Sequence, residues 1–148
     1  MIATRDVTIR IVLIAIFVAY LALLLKLIVF KHSSNAAMIG ENFIPLATID
    51  MYLGGKPNWD MAIQNLVGNI MLFIPLGLLL PIMYQRITWT RVLLAGVGLS
   101  LAFETIQLML RIGSFDVDDI ILNVLGVLFG FVVIKGVQYR SASPINNV

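Results

Sequence analysis

The sequence predicts an all-α, polytopic membrane protein, a bundle of four transmembrane helices forming one domain over residues 1–148. The first observation is composition: 60% of the 148 residues are hydrophobic and 12% are charged, against about 45–50% and about 25% in soluble domains. The second is a mean hydropathy of +1.00. The third is the presence of four apolar runs, each long enough to cross about 30 Å of hydrocarbon as a helix. Because backbone groups in lipid must be paired within the chain, we expect these runs to be helices.

The predicted spans carry few charges. In chain order they cover about 11–30, 64–84, 92–110 and 120–137. The first contains Lys26 and exceeds the apolar core of a signal peptide, about 7–15 residues, so we expect an uncleaved helix. The second contains no charge, the third contains Glu104, and the fourth contains Lys135.

Basic residues in the flanks predict the orientation. One side collects six of them: Arg5, Arg10, Arg86, Arg91, Lys135 and Arg140. The other side has Lys31, Lys56 and Arg111. We therefore expect both termini inside the cell and a long extracytoplasmic connection, about 31–63, between the first two spans. Its apolar stretch 47–53 is either an amphipathic surface segment or a short re-entrant piece.

Polar residues converge on the predicted outer half of the membrane. Glu104, Gln107 and Arg111 share one helical face, as do Asp116, Asp119 and Asn123. Asn69 lies on the second span, and Asn42 lies in the long loop. This asymmetry predicts an outward-facing polar pocket formed by Asn42, Asn69, Glu104, Gln107, Arg111, Asp116, Asp119 and Asn123.

Each of these features has a structural alternative. An intramembrane carboxylate is a functional candidate by default, but Glu104 could instead pair with Lys26 or Arg111 to hold helices together. The dipole of the fourth helix accounts for Asp118 and for much of Asp116. Gly126 and Gly130 form a GxxxG pattern, which is typical of close helix packing.

Four motifs in order resemble the VanZ-like family of small bacterial membrane proteins. The resemblance covers most of the chain, about 42–130. In chain order the motifs are Asn42-x-x-Pro45, Asn69-x-x-x-Phe73-x-Pro75-x-Gly77, Glu104-x-x-Gln107 and Asp116-x-x-Asp119-x-x-x-Asn123-x-x-Gly126. The family often has an arginine three residues before the first aspartate, where this chain has Gly113. Arg111 is the nearest substitute.

The resemblance implies a bacterial plasma membrane and a link to the cell envelope. The family's founding member is associated with resistance to the glycopeptide teicoplanin. The resemblance supplies no reaction, and no cofactor is predicted from it.

Three hypotheses follow. In the first, the pocket binds an amphiphile: a membrane lipid, a lipid-linked wall precursor or a lipoglycopeptide. In the second, an intramembrane enzyme uses Glu104 and Asp119 as an acid/base pair on a lipid-linked substrate. In the third, the chain is a small transporter or an accessory subunit. The acidic side chains are also compatible with a bound divalent cation. The absence of cysteine excludes thiolate metal sites and disulfides, and a net charge of +2 argues against nucleic acid.

Overall fold

A computed structural model describes residues 7–32 and 41–142. Within them the chain forms five helices and no strand. They are α1 (Val7–His32), α2 (Ala47–Leu53), α3 (Trp59–Met83), α4 (Trp89–Leu110) and α5 (Val117–Ala142). In this part of the chain, the four long helices have the length and apolar composition to cross a membrane, which confirms the all-helical prediction. Each is longer than its predicted span because helical pairing continues into the polar flanks.

Helices α3 and α5 form the tightest pair in the bundle because glycines bring their backbones together. A Cβ on Gly126 would overlap the carbonyl oxygen of Ile70, and one on Gly130 would overlap that of Ile74. From the other side, a Cβ on Gly77 would overlap the carbonyl of Val127. The GxxxG pattern therefore marks close packing, as predicted.

An apolar core joins α4 and α1 to this pair. Its buried members are Leu24, Phe73, Leu76, Leu80, Val92, Phe103 and Val127. Phe73 and Phe103 meet edge to face, with ring centroids 6.4 Å apart. Such ring pairs add to the stabilisation from burial alone.

Helix α1 is the most peripheral of the long helices. Leu24 is buried, and the hydroxyl of Tyr20 donates to the carbonyl of Leu72 on α3 at 2.9 Å. Over 7–27, where its side chains are described, most of its other apolar side chains are exposed, among them Ile11, Ile14 and Val18. Exposure of this kind is costly in water but suits a lipid-facing surface.

The long connection contains a short helix. Helix α2 has 7 residues and buries Thr48 and Tyr52 where it packs on α3 and α5. The predicted apolar stretch 47–53 therefore coincides with a helix. Its depth in the membrane, its side of the membrane and the orientation of both termini stay predictions.

Candidate functional site

The loop before α2 is fastened to the start of α5 by its backbone. The amide of Asn42 donates to the carbonyl of Phe115 at 2.8 Å, and the amide of Val117 donates to the carbonyl of Asn42 at 3.1 Å. Beside these two hydrogen bonds, the rings of Phe43 and Phe115 stack with their centroids 5.2 Å apart. The contact places the first of the four motifs directly against the last.

Asp118 caps the N-terminus of α2 from another element. Its side chain is fully buried, and its carboxylate accepts the backbone amides of Leu46, Thr48 and Ile49 at 2.6, 2.8 and 3.1 Å. Leu46, the N-cap residue, has a left-handed φ of 70° and no cap of its own. The sequence interpretation assigned Asp118 to the dipole of its own helix. Asp118 does lie in the first turn of α5, and its carboxylate in addition caps α2.

Asp116 connects three segments. Its Oδ1 accepts the amide of Asp118 at 2.8 Å, as an N-cap of α5 does, and also the side-chain amide of Asn42 at 2.9 Å. Its own backbone amide donates to Glu104 Oε2 on α4 at 2.9 Å. Glu104 is buried, whereas Lys26 and Arg111 are exposed. A backbone amide is therefore one partner of Glu104, and pairing with Lys26 or Arg111 stays an alternative.

Further along α5, two polar contacts lie between helices. The side-chain amide of Asn69 on α3 donates to Asp119 Oδ1. One turn later, the amide of Asn123 donates to Ser100 Oγ on α4 at 2.8 Å. Asn123 Oδ1 is buried without a hydrogen-bond partner in the described part of the chain. One face of α5 is thus joined to α3 by one contact and to α4 by the other.

Gln107 and Arg111 differ in their surroundings. Gln107 is buried, and its carbonyl accepts the amide of Ile112 at 3.1 Å where α4 ends. Arg111 follows as the C-cap residue, with a left-handed φ of 54° and an exposed side chain. Among the predicted pocket residues, Arg111 is the one that the structure leaves outside the buried polar group.

Tyr52 lies close to the acids. Burial, together with the negative charges of Asp119 and Asp116, raises the pKa of Tyr52 to about 12. The phenol therefore stays protonated at neutral pH. It is an additional hydroxyl beside the carboxylates.

We call this set the polar cluster. Its members are Asn42, Thr48, Tyr52, Asn69, Ser100, Glu104, Gln107, Asp116, Asp118, Asp119 and Asn123. Sequence reasoning missed Thr48, Tyr52 and Ser100 and did not place Asp118 in the site. Helical spacing could have indicated them. Ser100 lies one turn before Glu104 on the same face of α4, and Thr48 and Tyr52 are one turn apart on α2.

In the polar cluster, carboxylate oxygens accept hydrogen bonds from backbone amides and from the side-chain amides of asparagines. In the described ranges, no group of three or more histidine, aspartate or glutamate side chains is arranged to hold a metal ion. Most of the members are buried, whereas Asn42 and Asp119 are partly exposed. These two side chains are the ones that an external polar group can reach most directly.

Comparison with known proteins places these motifs in a family. The VanZ/LLP1 family model matches residues 17–138. Protein VanZ of Enterococcus faecium is 36% identical over 67 residues, which are 45% of this chain and 42% of that protein. The match therefore spans less than half of the curated relative. No solved structure matches.

The family match includes α3 and α4 completely, most of α5 and of α1, and every residue of the polar cluster. The matched residues contain all four sequence motifs and most of the four long helices. The chain therefore belongs to the VanZ/LLP1 family.

Proposed function

We propose that this chain acts at the bacterial cell envelope and lowers susceptibility to teicoplanin-type glycopeptides. In this proposal the polar cluster faces the outside of the membrane and engages the polar part of an amphiphile. The amphiphile is a lipid-linked wall precursor or the lipoglycopeptide itself. Family membership supports the envelope role. The observation that carries the binding role is a set of carboxylates and amides concentrated at one end of a membrane bundle.

Asp119 is the residue on which the binding role depends most. Its carboxylate is partly exposed, and Asn69 holds one of its oxygens. A carboxylate positioned in this way accepts hydrogen bonds from hydroxyl and amide groups, which are the donors of sugar and peptide headgroups. Hydrogen bonds to a charged group contribute about 1.5–3 kcal/mol each.

Asn123 adds a second acceptor one turn along the same helix. Its Oδ1 is buried and unpaired in the described residues, and a buried unpaired acceptor costs about 1–3 kcal/mol. A donor group that reached this oxygen would recover that free energy.

The lipid-facing side of α3 supplies an apolar surface near these groups. Trp59, Ile63, Val67 and Met71 are exposed and follow one another at four-residue spacing. That spacing places them on one helical face. The stripe passes the level of Asn69, so an acyl chain can lie along it while its headgroup reaches the polar cluster.

The test is teicoplanin susceptibility of a sensitive Gram-positive host that expresses the chain. We expect the unaltered chain to raise the inhibitory concentration and Asp119→Asn to abolish most of that rise at equal membrane abundance. Asp60→Asn is the matched control, because Asp60 is an exposed acid in the first turn of α3. It should protect as well as the unaltered chain.

Two results would contradict the proposal. If the unaltered chain gives no protection, the resistance role is wrong. If Asp119→Asn protects fully, the polar cluster has a structural role and the binding role is wrong. Membrane abundance measured on the same cells separates lost function from lost protein.

A further inference from the structure

The described residues form a cleft at the turn between α3 and α4. It is an open cleft with a volume of about 510 Å³, and it is lined by Tyr84, Gln85, Arg86, Ile87 and Arg91. This volume lies in the range of small-ligand sites, about 300–1,000 Å³. The cleft lies where α3 ends and α4 begins, whereas the polar cluster lies where α4 ends and α5 begins, so the two are at opposite ends of the bundle. The charge count predicts that the cleft end faces the cytoplasm.

The cleft and its surroundings are rich in positive charge. Arg86 and Arg91 line it, and neither has an acid beside it in the lining. Lys135 of α5 lies at its edge, because its Nζ donates to the carbonyl of Gln85 at 3.3 Å. The sequence contains no aspartate or glutamate in 61–103 or in 120–148. The segments that build this end of α3, α4 and α5 therefore provide cations without matching anions.

The position of the cleft indicates where its ligand comes from. It opens where the apolar part of α3 ends, at Met83, and where α4 begins, at Trp89. Tyr84 and Trp89 are both exposed, and exposed tyrosine and tryptophan are typical of the membrane–water interface. Lipid phosphates lie at this level.

We propose that the cleft binds the phosphate of an anionic phospholipid headgroup, with Arg86 and Arg91 as its ligands. Arginine suits this role because its planar guanidinium donates two parallel hydrogen bonds to phosphate oxygens. A zwitterionic headgroup fits less well, since its cationic end finds no acid in the cleft. The site is independent of the polar cluster and of the resistance role.

The test measures quenching of Trp89 fluorescence by brominated lipids. The full chain carries Trp59→Phe, which leaves Trp89 as the only tryptophan, and is reconstituted in phosphatidylcholine vesicles. Brominated phosphatidylglycerol and brominated phosphatidylcholine are compared at the same mole fraction. We expect the anionic lipid to quench Trp89 more strongly, and Arg86→Gln with Arg91→Gln to remove that preference. Each arginine should account for about a fivefold change in relative affinity.

The matched control is Arg10→Gln with Arg140→Gln, which removes the same charge from two exposed arginines outside the cleft. It should keep the preference. The single variants Arg86→Gln and Arg91→Gln provide the test if the double variant fails to fold. Equal quenching by the two lipids, or a preference that survives loss of the cleft arginines, would overturn the proposal. So would relief of quenching by inorganic phosphate at constant ionic strength, because that result would assign the cleft to a free anion.

Discussion

At the residue scale, the acids of the polar cluster divide by exposure and by partner. Asp118 is fully buried and accepts three backbone amides of the loop and of α2. Asp119, the next residue, is partly exposed and contacts a side chain of α3. Adjacent positions on a helix point about 100° apart, so one acid turns toward α2 and the other toward α3. The same short acidic run therefore contains a structural residue and a candidate binding residue.

We expect Asp118→Asn to destabilise the fold. The substitution removes the negative charge and one of the two acceptor oxygens that hold the start of α2, including the left-handed Leu46. The loss should be about 2 kcal/mol, from weakened charge-assisted hydrogen bonds and a weakened helix cap. Thermal unfolding of the purified chain in one mild detergent measures it.

Asp60→Asn is the control for that measurement, since Asp60 is exposed in the first turn of α3. Its effect should stay within about 0.5 kcal/mol, as for most surface substitutions. If the two variants unfold alike, Asp118 does not hold the loop in the way its contacts indicate.

At the element scale, the α3–α5 pair determines where the polar cluster forms. Gly77, Gly126 and Gly130 let the two backbones approach closely. Asn69 lies two turns before Gly77 on α3, and Asp119 lies two turns before Gly126 on α5. The close approach therefore brings these side chains within hydrogen-bonding distance. The packing of α3 against α5 at these glycines therefore positions the polar side chains nearer the start of both helices.

Gly126→Ala should weaken this pair although alanine favours helix formation. Its Cβ would overlap the carbonyl oxygen of Ile70, and overpacking of this kind costs about 1–3 kcal/mol. The matched control in the same helix is Gly136→Ala, where an added Cβ meets nothing within 4 Å.

The control should be neutral or more stable by up to about 1 kcal/mol, because alanine has the higher helix propensity. Unfolding in mixed micelles of increasing sodium dodecyl sulfate content, followed by circular dichroism, compares the two. Equal stability of the two variants would show that the backbones are not in close contact.

The helices and the polar cluster also show which features can be predicted from local sequence and which cannot. The four apolar helices were predictable because span length and composition are local properties. Glu104, Asp116, Asp119 and Asn123 were predictable because helical spacing places them on shared faces. The role of Asp118 was not, since its partners Leu46 and Thr48 lie about seventy positions earlier in the chain. No local pattern records a contact over that separation.

At the scale of the whole molecule, the two ends of the bundle differ in charge. The polar cluster holds Glu104, Asp116, Asp118 and Asp119, whereas the cleft end holds Arg86, Arg91, Lys135 and Arg140. Basic flanks are retained on the cytoplasmic side during insertion. This difference in charge between the two ends is therefore also the observation that predicts the orientation of the chain.

We expect the turn between α2 and α3 to face outside and the turn between α3 and α4 to face the cytoplasm. The chain contains no cysteine, so single cysteines report position without background. Lys56→Cys, Thr88→Cys and Ser141→Cys each alter an exposed residue. A membrane-impermeant maleimide should label position 56 in intact cells, but positions 88 and 141 only after the membrane is opened. The reverse pattern would place the polar cluster in the cytoplasm and exclude an extracellular ligand. Labelling of both 56 and 88 in intact cells would show that α3 does not cross the membrane.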